Sequence, residues 1–211
     1  MITVAICDDH KIVREGLKSI ISVFDDIDVL FDVESGEALL KELYNNQPDV
    51  IILDVSLPGR SGLEILKQIK SSDDNSKVLV LSMYPEDQYA IRTLKAGAKG
   101  YLHKDSPPNV LVKAIRTIAD GGEYLSPQIT KLLFQEATSS GGKLPHTALS
   151  DREYEVLLYI GEGKTISEIA NQLSLSVKTV STYRTRVLEK MGMSNNSDLV
   201  KYIMLHDLEM Q

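Results

Sequence analysis

The chain has 211 residues, 43% hydrophobic and 25% charged, an ordinary globular composition that fits one large domain or two small ones. No apolar run approaches the roughly 18 residues of a membrane span, no signal-peptide pattern opens the chain, and the lone Cys7 excludes an internal disulfide framework, so a reducing, cytoplasmic setting is expected. Net charge is −7, spread as −4 over residues 1–119, −1 over 120–147 and −2 over 148–211, so any nucleic-acid contact has to rest on local charge placement rather than a cationic field.

The first 120 residues alternate short β-branched apolar runs (3–7, 29–33, 50–53, 78–82, 100–102) with helical patterns (11–23, 37–45, 63–71, 86–96, 109–120). In the first helix Ile12, Leu17, Ile20 and Ile21 form an apolar stripe, with Arg14 and Lys18 on other faces. Five βα units in a row predict an α/β domain over 1–120: a doubly wound, five-stranded parallel sheet with helices on both faces, in the flavodoxin-like order. Residues 121–147 read as a linker. Gly121-Gly122, Pro127 and Ser139-Ser140-Gly141-Gly142 are breakers, 128–136 suits a short helix, and 139–146 is the most flexible part. After Leu149 no strand pattern returns, and 148–211 read as a small all-α domain of four helices.

Ligands of a doubly wound sheet bind beyond the carboxyl ends of the strands. Asp8 and Asp9 follow the first strand, Asp54 the third and Lys104 the fifth, while Ser82 closes the fourth. Three carboxylates on one rim repel each other unless a cation sits among them, and an oxygen-only donor set selects a hard ion, with Mg²⁺ the usual choice beside a phosphoryl group. One carboxylate can then attack phosphorus to form an acyl phosphate, with Lys104 and the Ser82 hydroxyl available to the phosphoryl oxygens. Asp54 is the best-placed nucleophile, being on the central strand and followed by a loop, Val55-Ser56-Leu57-Pro58-Gly59, that can turn over the site. Any one of these acids alone reads equally as a solvated loop residue.

Cys7-Asp8-Asp9, Leu53-Asp54-Val55-Ser56-Leu57-Pro58-Gly59, Leu81-Ser82 and Tyr101-Leu102-His103-Lys104 together resemble the signature of the CheY-type receiver domain. The resemblance implies that Asp54 is the phosphoacceptor, and that Asp9, Asp54 and the backbone carbonyl of Ser56 bind Mg²⁺ with Asp8 helping through water. It further implies that Ser82 and Lys104 hold the phosphoryl group and that Tyr101 is a rotating aromatic switch, although Tyr101 reads equally as a half-buried strand aromatic. Two positions depart from the common pattern: Asp105 replaces a proline, so no cis-proline turn is expected there, and Met83 replaces a small residue. Tyr84 and Ser56, each two residues past a site residue, are candidates to flank the approach of water to the Asp54–phosphorus bond, where the bulk of Tyr84 would prolong the phosphorylated state.

In the second domain, 165–173 and 177–191 read as helices joined by Ser174-Leu175-Ser176, with Ser176 as N-cap of the latter. At 100° per residue Val177, Val180, Tyr183, Val187, Leu188 and Met191 share one arc. Lys178, Thr182, Thr185, Arg186 and Glu189 lie opposite, with Thr179 and Ser181 at the margins. Such a face suits a major groove, with Lys178 and Arg186 toward phosphates and Ser181, Thr182 and Thr185 toward base edges; it suits plain solvent as well. Arg184 falls on the apolar arc, either reaching a phosphate from there or pairing with an acid. Leu149-Ser150-Asp151-Arg152-Glu153-Tyr154-Glu155-Val156-Leu157, Gly163-Lys164-Thr165-Ile166-Ser167-Glu168-Ile169-Ala170 and Ser176-Val177-Lys178-Thr179-Val180 resemble the LuxR-type DNA-binding domain. Tyr183 and Asn196 stand where histidine and arginine are common in that family. Leu199, Val200, Ile203 and Met204 of the last helix either pair subunits or complete the core.

With both motifs the whole chain resembles the NarL/FixJ class of response regulators. That implies a phosphorylation-controlled transcriptional regulator rather than an enzyme, with a sensor histidine kinase and double-stranded promoter DNA as partners, a homodimer when phosphorylated, and RNA polymerase as a further candidate. A phosphotransferase or phosphatase working through an aspartyl phosphate is the enzymatic rival, but its nucleophile ordinarily sits in an Asp-x-Asp run after the first strand. A receiver joined to a protein-binding helical module is the second rival. The first βα turn lacks Gly-x-Gly-x-x-Gly, which argues against a dinucleotide enzyme.

Overall fold

The apolar runs pair side by side as parallel strands: β1 (Ile2–Cys7), β2 (Ile27–Val33), β3 (Val50–Asp54), β4 (Val78–Ser82) and β5 (Gly100–His103), in the order β2-β1-β3-β4-β5. This is the computed structural model of the chain; it describes residues 1–138, 144–206 and 208, and divides into two units, Met1–Thr138 and Ser139–Gln211. Helices α1 (Lys11–Ile21), α2 (Gly36–Leu43), α3 (Gly62–Ser72), α4 (Glu86–Lys95) and α5 (Pro108–Ala119) fill the crossovers. Because side chains alternate across a strand, Val4, Ile6, Val50, Ile52, Leu79 and Leu81 pack with Leu17 and Ile21 of α1 and Leu111, Ile115 and Ile118 of α5. Ala5, Cys7, Ile51, Leu53 and Val80 are buried on the other face. Ile12, expected in the α1 stripe, is 83% exposed: the buried arc runs through Leu17 and Ile21, with Val13 and Ile20 beside it, and Ile12 lies a quarter-turn outside.

Register does the positioning. Cys7 sits beside Leu53, Asp54 beside Leu81, and Ser82 beside His103, so the carboxyl ends of β1, β3, β4 and β5 form one edge. Gly62 opens α3 directly behind that edge. A Cβ there would lie 1.9 Å from the Asp54 carbonyl oxygen, so only glycine lets the chain pass so close.

The stretch read as a linker begins as part of the first unit. Tyr124 N donates to Lys99 O at 2.8 Å and bridges to Gly100, and α6 (Pro127–Thr138) packs on α4 with Ile129 fully buried. Ser126 Oγ accepts from Ile129 N at 3.1 Å and donates to Glu86 Oε2, joining the start of α6 to the start of α4. Residues 139–143 of the expected flexible stretch lie outside the described residues.

In the second unit a 3-10 turn (Pro145–Ala148) precedes α7 (Asp151–Gly161), α8 (Ile166–Gln172), α9 (Val177–Met191) and α10 (Asn196–Leu205). Ser150 and Thr165 start α7 and α8 with reciprocal caps to Glu153 and Glu168, and Gly192, at φ 65°, ends α9. Val156, Leu157, Ile160, Ile169, Val180, Val187, Leu199 and Ile203 are buried; Met204 faces outward.

Candidate functional site

The edge formed by the strand ends holds a tight cluster of charge. Lys104 Nζ lies 2.7 Å from Asp54 Oδ2 and 2.6 Å from Asp8 Oδ2, with Asp54 1% and Asp8 2% exposed. Ser56 N donates to Asp54 Oδ1 at 3.0 Å, which fixes the carboxylate from its other side. Asp8 accepts from His10 N at 2.8 Å, and Arg14 Nη1 donates to the Asp8 carbonyl at 2.7 Å while its Nε reaches Asp32, so the turn after β1 is held from both sides. Asp9 Oδ1 has His10 Nδ1 at 2.8 Å.

Three carboxylates against one ammonium leave the pocket negative. Burial pushes the Asp54 carboxyl above its ordinary range; Lys104 opposes that rise and Asp8 adds to it. For Lys104, burial works against the charged form, but Asp54 and Asp8 outweigh it and raise the ammonium above its usual value. Burial also pushes the Cys7 thiol up, reinforced by Asp54 and Asp8. Asp9 Oδ1 is buried and accepts no well-aligned hydrogen bond among the described residues, and Asp8 Oδ2 meets Lys104 without one. Ligand atoms of Asp8, Asp9, His10 and Asp54 lie within 4.8 Å of one another, a pocket of the kind a divalent cation occupies.

Behind the pocket, Ser82 Oγ is buried and accepts from Tyr84 N at 3.0 Å, which leaves its own proton to donate. Tyr101 is fully buried, and its hydroxyl donates to the Tyr84 carbonyl at 2.6 Å. Tyr84 itself stacks on Tyr89 of α4, ring centroids 4.4 Å apart. Its ring is therefore buried against α4. The exposed side chain of this stretch is Met83.

In the second unit α9 turns Lys178, Ser181, Thr182, Thr185 and Arg186 to solvent, while Val180, Val187 and Met191 face the core. Thr179 is half-buried at the helix start, its Oγ1 2.7 Å from Ser176 Oγ. Arg184, half-buried, has its Nε donating to Asn196 Oδ1 at 2.6 Å, which ties α9 to the first turn of α10.

Residues 4–116 match the family described as Response regulator receiver domain, and residues 147–203 that described as Bacterial regulatory proteins, luxR family. The oxygen regulatory protein NreC of Staphylococcus carnosus is 36% identical over 206 residues, covering 94% of this chain and 95% of that one. Response regulator GacA of Pseudomonas protegens is 36% identical over 208 residues, with 99% and 98% covered. The chain belongs to the NarL/FixJ-class response regulators. A solved structure of RcsB from Salmonella enterica serovar Typhimurium, bound to promoter rprA in the presence of the phosphomimetic BeF₃⁻, superposes with a TM-score of 0.66 at 27% identity, over 96% of this chain and 98% of that one.

In this response regulator the strand register brings Asp8, Asp9, Asp54 and Lys104 together as the sequence spacing implies, and puts Ser82 and Tyr101 immediately behind them. Ser56 contributes an N–H contact to the Asp54 carboxylate. His10 and Arg14 were not singled out as pocket residues by sequence. His10 had a usable signal in its position directly after Asp8-Asp9, whereas the Arg14 contacts depend on β2 bringing Asp32 alongside. The Tyr84–Tyr89 stack and the Glu86–Ser126 bond, which connect the pocket's rear wall to α4 and α6, had no sequence signal.

Proposed function

We propose that Asp54 is the phosphoacceptor of this response regulator and that its phosphorylation controls how the second unit engages promoter DNA. The observation that carries the reading is a buried Asp54 carboxylate held by the Lys104 ammonium and the Ser56 N–H, beside Asp8. In the transfer an Asp54 oxygen forms a bond to phosphorus as the P–N bond to the imidazole of a sensor histidine kinase breaks, and the leaving imidazole takes a proton from solvent. Lys104 then pairs with a phosphoryl oxygen, and Ser82, whose Oγ already accepts from Tyr84 N, donates its proton to another. Asp9, Asp54 and the Ser56 carbonyl would hold Mg²⁺, with Asp8 acting through water. When bound, the ion neutralises charge on the phosphoryl oxygens.

Drawing the Ser82 hydroxyl toward phosphorus loosens its bond to Tyr84 N, and Tyr84 is the residue that Tyr101 and Tyr89 hold from two sides. The change therefore reaches α4 and, through Glu86 and Ser126, α6. A phosphorylated homodimer presents two copies of α9 to a two-fold site on double-stranded DNA, in the cytoplasm, with RNA polymerase as a further partner. RcsB bound to promoter DNA supports the DNA half of this reading. The test is retention of the full-length protein on duplex DNA across a salt series, with and without Mg²⁺ and a small acyl-phosphate donor. Wild type should tighten on phosphorylation and Asp54→Ala should not; equal response of the two would sink the scheme.

A further inference from the structure

Two threonine hydroxyls on the exposed face of α9 are engaged within the helix itself. Thr182 Oγ1 donates to Lys178 O at 3.0 Å, and Thr185 Oγ1 donates to Ser181 O at 3.1 Å. A threonine has one O–H to give, and these two are engaged by carbonyls four residues back along the helix. Each side chain then presents outward a methyl group and oxygen lone pairs, and no proton. Lys178, Thr182 and Thr185 follow one another at i, i+4 and i+7, so both threonines lie on one exposed strip. Arg184, a residue type that reads guanine with two donors, has its Nε held by Asn196.

In the major groove guanine offers only acceptors, O6 and N7, which a lone-pair surface does not satisfy. Adenine offers the N6 amino donor and thymine the C5 methyl. Cytosine also has an amino donor but no methyl. We infer that Thr182 and Thr185 read A·T pairs, through thymine methyls and adenine amino groups, and disfavour guanine where they face it. The inference rests on the DNA-binding reading of this helix and adds the chemistry of what it reads.

Full-length protein, phosphorylated with a small acyl phosphate and Mg²⁺, would select duplexes from a random library. Each thymine of the selected site would then be replaced by uracil, which removes the C5 methyl alone. Wild type should lose about fourfold in affinity per contacted thymine, the value of one buried methyl. Thr182→Ser and Thr185→Ser keep the back-bonded hydroxyl but lack the methyl, so each should lose the penalty at its own thymine and keep the others. Uracil duplexes that bind wild type as tightly as thymine duplexes, or guanine selected where either serine variant relaxes specificity, would overturn the inference while leaving DNA binding intact. Failure to retain any duplex above scrambled competitor would overturn the DNA-binding reading, and this inference with it.

Discussion

Both units of this response regulator bury charge, and they do so to opposite ends. In the first, Asp8, Asp9 and Asp54 share a pocket with one lysine, so negative charge is left over and burial drives the Asp54 carboxyl up. In the second, Arg152 pairs with Glu155 and Lys190 with Glu153, each buried acid having its own cation. There burial, which alone would raise the Glu153 carboxyl, is outweighed by Lys190 and the N–H of Ser150, which hold it below the ordinary range. A buried charge is therefore no guide to chemistry; an unbalanced one is. The second unit has the exposed face of α9 for its proposed work, and the Lys190–Glu153 pair ties that helix to α7.

The comparison breaks most visibly if single cations are removed from each side. Lys104→Met should slow phosphoryl uptake from a small acyl phosphate by roughly 10²–10³-fold, the usual cost of losing one donor to developing charge, with the second unit unaffected. A rate within threefold of wild type would show that the lysine is an ornament of the pocket. Arg152→Met removes the cation beside the buried Glu155 carboxylate and should cost about 3 kcal/mol, read by urea unfolding with amide exchange followed separately in α7–α10 and in the sheet. Exchange in the sheet should not change.

Adding a cation sharpens the same contrast. Mg²⁺ at about ten times its dissociation constant should stabilise the first unit by about 1.4 kcal/mol and the second not at all, and Asp9→Asn should abolish the gain. The smallest effect is in pH. Glu153 has a folded pKa below its unfolded value of about 4.3, so its contribution is present above that value and is lost as pH falls through the folded one. Protection of α7 from exchange should drop below about pH 4 in wild type, and the drop should shrink in Glu153→Gln.

Much of this was legible in the chain before any coordinates, for a physical reason. A parallel sheet converts alternating apolar runs into a fixed strand order, and strand ends are marked by the first polar residue, so Asp8, Asp54, Ser82 and Lys104 could be placed on one edge from spacing alone. What escaped depends on side-chain direction and on contacts between elements. Periodicity put Ile12 on the α1 stripe because it cannot say where the buried arc begins. Breakers after Gly121 pointed to a linker, yet Tyr124 bonds back to Lys99, Ser126 to Glu86 of α4, and Ile129 of α6 is buried. Spacing from Ser82 made Tyr84 a candidate flank of the water approach, but it could not show that the ring stacks on Tyr89. The Arg184–Asn196 bond could not be read from sequence, because it depends on α10 beginning beside α9.

The account stands or falls on Asp54, and intact-mass spectrometry after incubation with Mg²⁺ and a small acyl-phosphate donor tests it most directly. One phosphoryl adduct, labile to acid and to base, should form on wild type and none on Asp54→Ala. An equal adduct on both proteins, or none on a folded wild type supplied with either the acyl phosphate or a phosphorylated histidine kinase, would contradict it.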